Sequence, residues 1–162
     1  MLTELKYTIC FCHCDGKILM LYRVKKPNQY VWNGLGGKIE TGETPYVSIQ
    51  REMLEEAHID IAKAQDVFYT GIVTWNKNDD KSIRGGMYAF IVEIPKLWIQ
   101  EKETAEGLLA WKELSWIYDL SHKSVVSNIP HFLPHMLEKK TPKEYRLFYQ
   151  GNELQHMEIL NL

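Results

Sequence analysis

Glu52, Glu55 and Glu56 stand at i, i+3 and i+4 in the run Arg51-Glu52-Met53-Leu54-Glu55-Glu56-Ala57. On a helix that spacing gathers all three carboxylates on one face. Like charges at i and i+4 cost roughly 0.2–0.5 kcal/mol per pair, so the cluster adds nothing to helix stability. A hard divalent cation reverses the sign. Mg²⁺ takes oxygen ligands in octahedral geometry, commonly one or two carboxylates completed by water and substrate phosphates. The competing reading is an acidic face turned to solvent. Arg51 is placed to pair with Glu43 or Glu55 and to hold the helix against the loop before it.

The elements that must position these groups are legible around them. Thr44-Pro45 is a helix start, an N-cap residue followed by proline at the first helical position. Tyr46, Ile49, Met53 and Ala57 form an apolar stripe, flanked by Val47 and Leu54. Before the helix lies Gly34-Leu35-Gly36-Gly37-Lys38, where missing side chains let backbone approach a ligand closely or turn sharply. The backbone of Gly36 and Gly37, with Lys38, is offered to phosphate oxygens, and the Gly37 carbonyl to a metal. Arg23, ending a strand, is the stronger phosphate candidate in Arg23-Val24-Lys25-Lys26; a solvated loop accounts equally well for Lys25 and Lys26.

At 162 residues the chain is expected to form one domain over 1–162 with a substantial core. A net charge of −2 offers no basic surface for a nucleic acid polymer. No apolar run suits a membrane span and no signal peptide is visible, so a cytoplasmic location is expected. Cys10, Cys12 and Cys14 alternate within an apolar run, which reads as a strand with the thiols on one face and His13 on the other. That pattern predicts reduced thiols rather than a zinc site. His131 and His135 share a helical face without a third ligand, and packing or surface roles are expected of them.

Further strands are expected at 5–14 and 17–23 about an Asp15-Gly16 turn, and at 67–75 and 87–94 about a polar turn at 76–80. A loop is expected over 96–106, then a strand at 108–114 and a helical turn at 115–120. A helix at 130–138 and a hairpin of 145–149 with 154–159 close the chain. The class is α+β: a strand-rich core with the acidic helix on one side and the later helix on the other.

Gly37, Glu43, Arg51, Glu52, Glu55, Glu56 and Ile59 fall in a spacing that resembles the Nudix box almost position for position. One position departs: His58 stands where that family has the glycine that ends the helix. The resemblance implies a Nudix α/β/α sandwich with a mixed central sheet, and hydrolysis of a phosphoanhydride. It implies Mg²⁺, with Mn²⁺ as substitute, held by Glu52, Glu55, Glu56 and the Gly37 carbonyl. Glu55 or Glu106 then serves as base, with Glu103 in reserve, and Glu43 with Arg51 braces the ligands. Outside the box, Tyr7-Thr8, Trp32-Asn33-Gly34, Trp111 and Phe132-Leu133-Pro134 look like the MutT-type group that hydrolyses 8-oxo-dGTP and related purine triphosphates. That likeness implies a nucleotide substrate with release of pyrophosphate, Asn33 and Asn128 on opposite walls of the base site, and a monomer or homodimer. ADP-ribose, a dinucleoside polyphosphate or a nucleotide sugar is the alternative substrate. A non-catalytic nucleotide-sensing module is the third reading.

Overall fold

The computed structural model describes residues 2–26, 28–64, 66–95 and 101–162. Their strands are β1 (Leu2–Cys14), β2 (Lys17–Arg23), β3 (Trp32–Asn33), β4 (Asp66–Lys77), β5 (Asp80–Glu93), β6 (Lys102–Thr104), β7 (Gly107–Glu113), β8 (Lys143–Gln150) and β9 (Glu153–Asn161). The helices are α1 (Pro45–Ala57), α2 (Leu114–Tyr118) and α3 (Ile129–Met136), with a 3-10 turn at Ile61–Lys63. No described helix is long and apolar enough to cross a membrane.

The strands form one mixed sheet in the order β6-β7-β2-β1-β5-β4-β8-β9, with β3 paired to β2. β1 runs parallel to β5 and β4 parallel to β8; the other pairings are antiparallel. The hairpin turns follow from their residues. Asp15 and Gly16 both have positive φ, as do Asn78 and Asp79, which matches the turn to the twist of its strands.

Alternation along β1 divides the core. Cys10, Cys12 and Cys14 pack with Leu19, Leu21, Leu35, Ile49, Met53 and Ala57 beneath α1. Ile9 and Phe11 join Met20, Ile129, Phe132 and Leu133 on the face covered by α2 and α3. The expected α/β/α sandwich is therefore what forms. All three thiols are free and buried, and burial pushes Cys12 up to about 12. His13, on the opposite face, meets Glu93 at 2.8 Å.

Three expectations need correction. Part of the loop expected over 96–106 is strand: Lys102–Thr104 pairs with β7, while residues 96–100 lie outside the described ones. A short edge strand of polar residues carries no alternation to betray it. Tyr46 is 42% exposed, at the margin of the stripe it was expected to share. Ser48 packs there instead, its hydroxyl 3.3 Å from that of Thr8 on β1. The strand expected at 87–94 begins at Asp80 and carries Gly85 and Gly86 into the sheet.

α1 starts as its sequence dictates, with Thr44 Oγ1 accepting from the Val47 amide at 3.2 Å. It ends at His58, whose φ of 55° and ψ of 31° are left-handed, so the histidine adopts the conformation expected of the family glycine. A side chain there costs energy that glycine avoids. His58→Gly is expected to raise stability by about 1 kcal/mol in urea unfolding without altering the transition slope.

Candidate active site

α1 lies on the sheet so that Glu56 is buried along with Ser48, Ile49, Met53 and Ala57. Glu56 is 7% exposed. The Gly36 amide donates to Glu56 Oε1 at 2.9 Å, which fixes the carboxylate against the glycine-rich loop. Burial nonetheless pushes Glu56 up to about 8, with the Glu52 charge adding to the effect and the Gly36 hydrogen bond opposing it. Burial also raises Glu52, and Arg51 opposes that shift. Glu52 and Gly37 are in close approach: a Cβ on Gly37 would stand 2.5 Å from Glu52 Oε1. Only glycine leaves that carboxylate its place.

Arg51 holds the loop to the helix. Its Nε and one terminal nitrogen donate to the two Glu43 oxygens at 2.8 and 2.9 Å, a bidentate pair. The other terminal nitrogen reaches Glu52 at 3.0 Å and Glu55 at 3.4 Å, while the first also donates to the Lys38 carbonyl at 3.1 Å. The Arg51 hydrogen bonds hold the Glu43 carboxyl below its ordinary range. Both sequence-derived partners of Arg51 are thus met, together with Glu52.

Arg23, Gly36, Gly37, Glu52, Glu55, Glu56 and Glu106 line one cavity of about 390 Å³, along with Thr104 and Ala105. Glu106 arrives from the β6–β7 turn, its carboxylate 3.9 Å from Arg23. Glu103 is exposed and is not among the lining residues. Among the described residues no three carboxylates, imidazoles or thiols converge tightly enough to hold an ion as they stand. Glu52 and Glu55 are instead turned onto Arg51. The donor set still fits a hard cation: four carboxylates edge one cavity, and burial, with the Glu52 charge adding to it, raises Glu56. Glu55 lines the cavity from its open side, with its side chain 61% exposed and 3.4 Å from Arg51. The Gly37 carbonyl, expected as a further ligand, accepts from the Thr8 amide at 2.9 Å, with the Thr8 hydroxyl at 3.4 Å.

A second cleft, about 680 Å³, adjoins the first and shares Arg23, Gly36 and Gly37 with it. Tyr7, Thr8, Asn33, Lys38, Trp75, Lys77 and Met87 are among its walls. Asn33 lies in the cleft while its Oδ1 accepts from the Gly34 amide at 2.8 Å, so it also shapes the local turn. Asn128 is not brought to either cavity. Its Nδ2 donates to the Tyr149 hydroxyl at 3.1 Å beside the start of α3. Sequence reasoning missed Trp75 and Met87 as cleft residues. Trp75 pairs across the sheet with Gly85, and that register comes from the β4–β5 hairpin. The turn at Asn78-Asp79 was the signal that could have supplied it.

A NUDIX domain model matches residues 4–136. An uncharacterized Nudix hydrolase, YvcI of Bacillus subtilis (strain 168), is 31% identical over 116 residues, 71% of this chain and 70% of the relative. Among solved structures, the mutator MutT protein from Bacillus halodurans superposes with a TM-score of 0.74 at 22% identity, covering 98% of this chain and 97% of that one. The NUDIX domain of Shewanella oneidensis NrtR, complexed with ADP-ribose, superposes with a TM-score of 0.59 at 15% identity, over 85% of this chain and 86% of that one. The chain belongs to the Nudix family and is a pyrophosphohydrolase of that class. Its structural neighbours include MutT-like members. Nudix hydrolases use divalent metal ions and act on small nucleotide substrates.

Proposed function

We propose that this Nudix hydrolase cleaves a purine nucleoside triphosphate, with 8-oxo-dGTP the oxidised member to test, to a nucleoside monophosphate and pyrophosphate in the presence of Mg²⁺. The observation that carries the reading is the junction of two cavities at Arg23, Gly36 and Gly37. One side offers carboxylates, the other a larger cleft walled by Tyr7, Trp75 and Met87 with the Asn33 amide. A diphosphate on the first side and a ring system on the second use both. An amide both donates and accepts, so Asn33 can read a purine edge.

Glu52, Glu55 and Glu56 would hold the metal, with the Gly37 carbonyl beside them. When bound, the ion neutralises diphosphate charge and lowers the pKa of its water. Gly36 and Arg51 aim the Glu56 and Glu52 carboxylates. Arg23, at the junction, meets phosphate oxygens, and Lys38 adds charge at the rim. Glu106 or Glu55 takes the proton from water as its oxygen attacks a phosphorus of the α–β bridge, whose P–O bond breaks to release monophosphate and pyrophosphate; Glu106 already stands beside Arg23. The 162 residues act as one catalytic domain, since β8 and β9 extend the same sheet beyond the matched region.

The position of Asn128 favours a second reading. With Asn128 held on Tyr149 and away from the cleft, the base contact expected of it is missing, which suits ADP-ribose, a dinucleoside polyphosphate or a nucleotide sugar. A Mg²⁺-dependent hydrolysis panel on dGTP, 8-oxo-dGTP, other nucleoside triphosphates, ADP-ribose and Ap4A separates the two. Fastest pyrophosphate release from a purine triphosphate is expected. Preference for ADP-ribose or Ap4A would keep the carboxylate site and discard the triphosphate assignment.

A further inference from the structure

The turn that delivers Glu106 is built from Thr104-Ala105-Glu106-Gly107, with Thr104 and Gly107 paired in register. Two-residue hairpin loops favour positive φ, because that twist matches the strands. Neither Ala105 nor Glu106 has it. The turn is therefore not one the strands would choose unaided. What holds it is the Thr104 side chain. Its Oγ1 accepts from the amides of Glu106 and Gly107, each at 3.2 Å, and donates to the Gly107 carbonyl at 3.0 Å. On the far side the Val24 amide donates to the Glu106 carbonyl at 3.2 Å. Gly107 completes the clamp at φ +148°, where a Cβ would run into the Tyr22 carbonyl oxygen.

We infer that the Thr104 hydroxyl is a positioning group for Glu106, fixing the turn that sets this carboxylate at the cavity shared with Glu52, Glu55 and Glu56. The inference rests on the reading that Glu106 serves the reaction. Thr104 itself acts through the backbone. Removing the hydroxyl frees two amides and lets the turn relax toward a twist-matched form, which carries Glu106 away from Arg23.

Thr104→Val keeps the shape and deletes the bonds. With dGTP and Mg²⁺, kcat is expected to fall about ten- to a hundredfold, the scale of a misplaced catalytic group, with KM little changed. Thr104→Ser should restore it. In a Glu106→Gln background, Thr104→Val should add no further loss. Amide exchange gives a readout independent of turnover: Glu106 and Gly107 should lose protection in Thr104→Val and keep it in Thr104→Ser, with the melting temperature nearly unchanged. Retained protection in Thr104→Val overturns the inference. So does a loss of kcat that persists in full in the Glu106→Gln background. If Glu106→Gln is slow and Thr104→Val is not, the positioning role alone falls. If Glu106→Gln turns over at the wild-type rate, the role of Glu106 falls and the positioning role with it.

Discussion

Glu56→Gln is expected to lower turnover by roughly 10²–10³-fold, on the scale seen when a preorganised charge-stabilising group is removed. The substitution is nearly isosteric, and its amide oxygen still accepts from Gly36, so the fold should survive. What disappears is the negative charge that a divalent ion would need at the centre of the cavity. Pyrophosphate release, measured beside a thermal melt, separates the two effects. A variant that turns over at the wild-type rate would remove Glu56 from the site.

The second large effect is on pH. Glu56 is raised to about 8 by burial, against roughly 4.3 for an ordinary glutamate in the unfolded chain. Between those values the metal-free folded protein keeps a proton that the unfolded chain has lost. Stability is therefore full below the lower pKa, falls as pH rises, and levels off above about 8. The slope is at most about 1.4 kcal/mol per pH unit for one proton. In EDTA, denaturant unfolding from pH 6 to 8 should show a loss of up to about 2–3 kcal/mol on that slope. Added Mg²⁺ should recover it, because the ion binds the ionised carboxylate and the folded state only. Glu56→Gln should flatten the metal-free profile. A wild-type profile in EDTA that is already flat would show that Glu56 is ionised in the folded protein without metal.

Local periodicity placed Glu52, Glu55 and Glu56 on one helical face, and the cap at Thr44-Pro45 set where that helix begins. Alternation along β1 placed the thiols and His13 on opposite faces for the same reason. How deep each glutamate lies was another matter. Glu56 is only 7% exposed, while the Glu55 side chain is 61% exposed, a difference fixed by how α1 rests on β1. The larger cleft was less legible still. Trp75 and Met87 reach it through the register of β4 against β5, and Asn128 is drawn away by Tyr149 on β8. Such relations join residues remote in sequence, and no single stretch encodes them.

His58 carries the opposite lesson. A substitution at a family glycine threatens the end of α1, yet the amides of His58 and Ile59 still bond to the Leu54 and Met53 carbonyls at 3.1 and 3.2 Å. The cap geometry belongs to the chain path around it, and the side chain only adds strain. The carboxylates one turn earlier keep their places.

Hydrolysis of dGTP in H₂¹⁸O with Mg²⁺, with products resolved by mass spectrometry, tests the central claim most directly. Water attack within a pyrophosphohydrolase site predicts dGMP and pyrophosphate, with one ¹⁸O in one of the two and none exchanged into unreacted dGTP. Formation of dGDP and inorganic phosphate, or no turnover with Mg²⁺ or Mn²⁺, would contradict it.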